Sequence, residues 1–193
     1  MTLRILPTAA LAAVLSLAGW MPVHAPLTFA SGGTLVIEGS SNVHRLWTCT
    51  AAQVTGAGDG ALTAAGLTSL TALTVTVPVA QIDCGNGTMS GKLRSALLAP
   101  TAPTVRFVLS SATMSALQNA RSTVTAQGQL TVAGQTRPVQ ITAQGQPVGG
   151  RFRVTGSVPL LMTQFGIRPP TAMMGTMRTR DAVTVRFDVT LAR

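Results

Sequence analysis

Residues 128–143, GQLTVAGQTRPVQITA, constrain the fold of this chain more than any other stretch. Leu130 and Val132 alternate with Gln129 and Thr131. After a break at Gly134-Gln135, Val139, Ile141 and Ala143 alternate with Gln140 and Thr142. A period of two belongs to a strand with one dry and one wet face. Two such runs across a short glycine-containing break form a β-hairpin. The same alternation recurs around Val105, Phe107 and Leu109, around Val124 and Ala126, from Phe152 and Val154 to Leu160, and from Val183 to Leu191. Upstream, Leu73, Val75, Val77 and Val79 alternate with Thr74, Thr76 and Pro78, a proline that marks an edge or a bulge.

Six or more one-sided strands joined by short turns imply an antiparallel sheet, too long to stay open. The expected fold is all-β: a single closed antiparallel barrel of about eight strands, with a two-sheet sandwich as the alternative. Thr34 to Glu38 and Val43 to Thr50 add expected strands, though the side on which Trp47 lies is open because Leu46 breaks the alternation. Gly56 to Gly60, GAGDG, is expected to be loop or turn. The one short helix is expected over Ser90 to Leu98, with Leu93, Leu97 and Leu98 on one side and Pro100 and Pro103 ending it.

The N-terminus reads differently. Arg4, an apolar run from Ile5 to Trp20 and the small-residue exit at Val23-His24-Ala25 describe a secretory signal peptide over residues 1–30. Cleavage is expected after Ala25 or Ala30, leaving a barrel domain over 31–193, exported to the periplasm or secreted. In such a compartment Cys49 and Cys84 are a candidate disulfide, with two buried thiols as the alternative. A metal site is not expected, since no CxxC spacing occurs and His44 is the only histidine after His24. The chain carries 14 Lys+Arg against 5 Asp+Glu, a formal +9 that becomes +8 without Arg4. Export argues against nucleic acid as the partner, which leaves an anionic membrane surface, or simply solvated strand faces. An edge strand could also support a homodimer.

Inward positions carry mostly Val, Leu, Ala and Gly, and no Tyr is present. Small side chains inside such a barrel leave room for a slim apolar ligand, unless the barrel is narrower and solid. The segment from Met162 to Asp181 reads as long and irregular. It brings Met173 and Met174 together with Arg168, Arg178 and Arg180. That combination suits either a lid over a lipid tail with an anionic head, or a methionine plug with solvated arginines. No catalytic motif is found: neither GxSxG, HExxH, a P-loop nor a dinucleotide fingerprint occurs, and His44 stands alone. No catalytic residue is assigned, and a binding role is expected.

In order and spacing, four segments resemble the YceI-like family of exported bacterial proteins. They are the 128–139 hairpin, Leu97 through Phe107 with Pro103, Phe165-Gly166-Ile167, and Asp181 to Asp188. The resemblance implies a lipocalin-like barrel with an elongated apolar tunnel for a polyisoprenoid, such as an isoprenoid quinone or polyprenyl lipid, and no shared catalytic set. Val75, Val77, Val105, Phe107, Leu130, Val132, Phe152 and Val154 are then expected to line the tunnel. Phe165, Met173 and Met174 would gate one mouth, and Arg168, Arg178 and Arg180 are the head-group candidates. The histidines common near that family's first strands are reduced here to His44. The competing expectation is a cell-envelope scaffold with a solid core and an Arg-rich surface.

Overall fold

The computed structural model describes residues 25–193, with Ala172 and Met173 described as backbone only. The bulk of the expected signal peptide, residues 1–24, lies outside the described residues. In chain order the strands are β1 (Ala25–Phe29), β2 (Thr34–Ser41), β3 (Trp47–Ala51), β4 (Thr55–Thr63), β5 (Gly66–Pro78), β6 (Ile82–Asp83), β7 (Thr104–Met114), β8 (Ser122–Val132), β9 (Gln135–Val148), β10 (Arg151–Leu161), β11 (Thr171–Ala172) and β12 (Met177–Ala192). One α-helix, α1 (Gly87–Ala96), stands between β6 and β7.

Eight strands close an antiparallel barrel in the order β1-β4-β5-β7-β8-β9-β10-β12. β12 returns to β1 through Thr28↔Ala192 and Phe29↔Leu191. One edge of β12 takes two neighbours: its last residues meet β1, while Val183 to Asp188 meet β2. β3 and the two-residue β6 continue the sheet beyond β2, so the exposed edge left for any edge-to-edge dimer is short.

Because β1 is a stave of the barrel, the domain begins before residue 31. Leu27 is fully buried, and Ala25 to Thr28 pair with Gly60 to Ala57. Of the two candidate cleavage points, only the one after Ala25 keeps β1 nearly whole.

The glycine-rich stretch expected as a loop is instead strand β4. A Cβ at Gly58 would lie 2.1 Å from the Ala72 carbonyl oxygen, and one at Gly56 would lie 2.7 Å from the Phe29 ring. These glycines permit close approach within a bulged pairing and do not turn the chain. The β8–β9 turn is Ala133-Gly134, with φ of 48° and 75°. Positive φ at both positions is the type I′ geometry that suits a two-residue hairpin.

The helix starts three residues earlier than expected. Asn86 caps it by accepting the Met89 N–H at 3.1 Å, and Leu98, with φ of 56°, falls beyond its end. Its buried Ser90 hydroxyl donates to Asp83 Oδ1 and accepts the Cys84 N–H, both at 2.9 Å. Those contacts fix the loop from which Cys84 forms its disulfide with Cys49 of β3.

The segment from Met162 to Asp181 is more ordered than its sequence suggested. A 3-10 turn over Met162–Phe165 ends at Gly166 with φ of 69°. The Asp181 carboxylate accepts the Thr163 N–H at 2.9 Å and the Thr163 hydroxyl at 2.6 Å, and β11 pairs with the start of β12. On the barrel flank Asp188 bonds Arg153 across the β10–β12 pair, and Arg186 reaches Glu38 at 2.7 Å. Asp188 is therefore matched to Arg153 rather than to its sequence neighbour Arg186.

Candidate functional site: an apolar cavity open at one end

The alternation that makes the strands also decides what faces inward. Every second residue of β5, β7, β8, β10 and β12 points into the barrel, where a cavity of 350 Å3 runs between them. That volume falls in the range of about 300–1000 Å3 usual for small-molecule sites. Val75, Val77, Val105, Phe107, Leu130, Val132 and Val154 line it, as do Phe165 and Met162 of the 3-10 turn. Val75, Val105 and Val154 are only half-buried although they face inward, because the surface they expose belongs to the cavity.

Phe152 was expected among these lining residues and is not one. It is completely buried. A Cβ at Gly145 would lie 2.4 Å from its ring, and one at Gly66 3.5 Å. Leu27, Leu62 and Leu191 are buried in the same end of the barrel. Phe152 is thus part of the packed floor, held where two glycines leave space for a phenyl ring.

The opposite end is the mouth. The β8–β9 turn, the C-terminal part of α1, the 3-10 turn and the connection from β2 to β3 gather there. The wall is apolar almost throughout. Its polar side chains are Ser41, His44, Lys92, Thr171 and Thr179, together with the Trp47 indole N–H. Four lining residues are exposed, His44, Lys92, Leu161 and Thr171, and all four stand at this end.

Trp47 and α1 are among the parts of the wall that sequence reasoning missed, along with Phe29 of β1 and Leu35 and Ile37 of β2. Residues 42–46 form a turn in place of strand: Ser41 N–H donates to the His44 carbonyl at 2.8 Å, and His44 N–H to Ser41 Oγ at 2.8 Å. Strand parity therefore starts afresh at Trp47, which pairs with Gly39 and faces inward with Cys49. Its indole lies flat over Gly39, where a Cβ would come within 2.1 Å. Among the described residues nothing accepts the buried Trp47 Nε1–H. From α1, Met89, Lys92, Leu93 and Ala96 complete the wall. The leucine spacing had marked one side of this helix as buried but could not say that a cavity lay beneath it.

The expected lid is placed differently. Arg178 and Arg180 alternate with the inward-facing Met177 and Thr179, so their side chains point outward, and Arg178 Nε donates to the Gly175 carbonyl at 3.1 Å. Arg168 lines a separate groove of 290 Å3 beside Leu98, Ala133 and Gly166. None of the three guanidinium groups lines the cavity. Met174, with φ of 53°, is fully exposed and does not cover the mouth; the side chain of Met173 lies outside the described residues. The methionines that do line the cavity are Met89, Met162 and Met177.

Comparison with known proteins agrees with this geometry. A family model for the YceI-like domain matches residues 22–191. No curated protein sequence matches the chain. Among solved structures it is similar to Burkholderia cenocepacia BcnA, at 16% identity and a TM-score of 0.66, covering 83% of this chain and 96% of that one. It is also similar to a polyisoprenoid binding domain from Saccharophagus degradans implicated in plant cell wall breakdown. That match has 13% identity and a TM-score of 0.68, and covers 86% of this chain and 97% of the other. Identities this low speak for a shared barrel. With the family match running through nearly all of the described barrel, the chain belongs to the YceI-like family.

Proposed function

We propose that this protein is an exported carrier that holds a polyisoprenoid, or another long apolar lipid chain, in its barrel cavity and acts by binding rather than by catalysis. The observation that carries this reading is the cavity itself: apolar along its walls, sealed by Phe152 at the floor and open beside His44 and Lys92. Each ~100 Å2 of apolar surface that a lipid chain buries there is worth about 2.5 kcal/mol before ordering costs. The polar side chains are confined to the mouth end, which suits a ligand with an apolar tail and a single polar head. Trp47 Nε1–H and Lys92 are donors, so an acceptor head is favoured, such as a quinone carbonyl or a polyprenyl phosphate. The Saccharophagus domain, named for polyisoprenoid binding, supports the same ligand class.

A hollow interior counts against the solid-core scaffold. The titratable groups of the wall are His44 and Lys92 alone, and among the described residues no three His, Cys, Asp or Glu gather as a metal site would require. The Cys49–Cys84 disulfide suits the oxidising periplasm or the extracellular space. The test is organic extraction of the natively purified protein followed by mass spectrometry. A stoichiometric quinone or polyprenyl species is the expected result. An empty extract, with reconstitution by added ubiquinone also failing, overturns the carrier reading.

A further inference from the structure

The exposed large apolar side chains are unevenly distributed. Seven are recorded among the described residues. Leu117 and Val148 lie at the floor end, in the β7–β8 connection and at the end of β9. Val43, Leu46, Leu98, Leu161 and Met174 all lie at the mouth end, with Leu46 62% exposed and Val43 59%. Asn42 binds the β2–β3 connection to the β11–β12 hairpin: its Nδ2 donates to the Thr176 carbonyl and its Oδ1 accepts the Arg178 N–H, both at 2.7 Å. Leu98 borders the Arg168 groove, and Leu161 lines the cavity at its opening.

Positive charge follows the same geography. Arg45, Arg168, Arg178 and Arg180 are exposed at this end, and among the described residues none of them forms an ion pair with a carboxylate. The two ion pairs among the described residues, Arg153–Asp188 and Arg186–Glu38, lie on the flank. Asp181 stands at this end and accepts from Thr163, so one carboxylate faces these four guanidinium groups.

We propose that the mouth end is a membrane-docking face and that its partner is an anionic phospholipid bilayer. Separate apolar tips on several connections, each with an arginine nearby, fit a headgroup layer. The tips enter the acyl boundary while the guanidinium groups bind phosphates above it. A protein partner would call for a contiguous, charge-poor centre, which this rim lacks. Docking in this orientation sets the cavity opening against the acyl region, so that an apolar chain moves between bilayer and barrel without crossing water.

The test is co-sedimentation of the purified protein with phosphatidylglycerol vesicles and with phosphatidylcholine vesicles. The expected result is binding to the first, weakened by salt, and little binding to the second. The apolar variant Leu46→Asp/Leu98→Asp and the charge variant Arg45→Glu/Arg168→Glu should each lower partitioning at least about tenfold. Leu117→Asp/Val148→Asp, at the floor end, should bind like the parent. Thermal melts confirm that all are folded, and lipid extracted from each reads the cavity separately. Equal binding by mouth and floor variants, or no preference of the parent for phosphatidylglycerol, overturns the proposal. A protein that docks but yields no lipid refutes the carrier reading alone, and a loaded protein that does not dock refutes the docking face alone.

Discussion

Replacing Val75 or Val154 by Trp puts the hollow interior to a test in which the sign of the effect decides. Both side chains face the cavity and are only half-buried. At about 24 cal/mol per Å3, a 350 Å3 cavity represents about 8 kcal/mol of unfilled packing in the lipid-free protein. An indole in place of an isopropyl group fills roughly a quarter of it and returns about 2 kcal/mol. For a chain of this size that raises Tm by about 4–8 °C. In a solid barrel the same substitution would overpack the core and cost about 1–3 kcal/mol, moving Tm the other way. The assay is scanning calorimetry of delipidated Val75→Trp and Val154→Trp, paired with lipid quantitation after native purification. Higher Tm with reduced lipid content is expected. Lower Tm in both variants with unchanged lipid would refute the cavity.

Further expectations follow from the rest of the barrel. Reducing the Cys49–Cys84 disulfide, which links positions 35 residues apart, should cost about 3–4 kcal/mol in the chain-entropy model and lower the melting temperature in dithiothreitol. Gly58→Ala should destabilise the fold by about 1–3 kcal/mol or more, read by urea unfolding, because its methyl would meet the Ala72 carbonyl. A chain beginning at residue 31 should fail to give the cooperative melt of one beginning at residue 26, because it lacks β1. The hydrogen bond from Arg153 holds the Asp188 carboxyl below the ordinary carboxylate range. Its contribution is therefore complete above the unfolded-state value of about 3.9 and is lost as pH falls through the lower folded value. Asp188→Asn should lower the urea midpoint slightly near neutral pH and match the parent in acid.

Sequence alone carried the barrel because its strands are wet on one face. The parity of Val75, Phe107, Leu130 and Val154 is the parity of the cavity wall. Reading failed where side-chain type and backbone role part company. The glycines of β4 resemble a turn until the Phe29 ring and the Ala72 carbonyl are seen to need their space. β1 lay hidden in what read as a signal-peptide tail, since nothing local distinguishes a five-residue strand from the exit of a leader. Phe152 shares its strand's inward parity but sits below the cavity, a depth that alternation does not encode. The mouth was misassigned for the same reason. Arg178 and Arg180 are near it in sequence, but the pleat turns them away and presents Met177 and Thr179. Lys92 lies off the side marked by Leu93, Leu97 and Leu98, and its place at the mouth depends on how α1 lies against the barrel.

The pairing of Phe29 with Leu191 has a consequence for when the protein can fold. The first described strand and the last close the barrel on each other, so no partial chain from the N-terminus contains a complete one. Closure of such long-range pairs is slow, since the loop entropy is lost before the contacts form. A polypeptide threading a translocation channel N-terminus first would keep β1 and β12 unjoined until its final residues emerged. If the chain is exported, as proposed, this topology would delay folding to the far side of the membrane and keep the chain threadable during its passage.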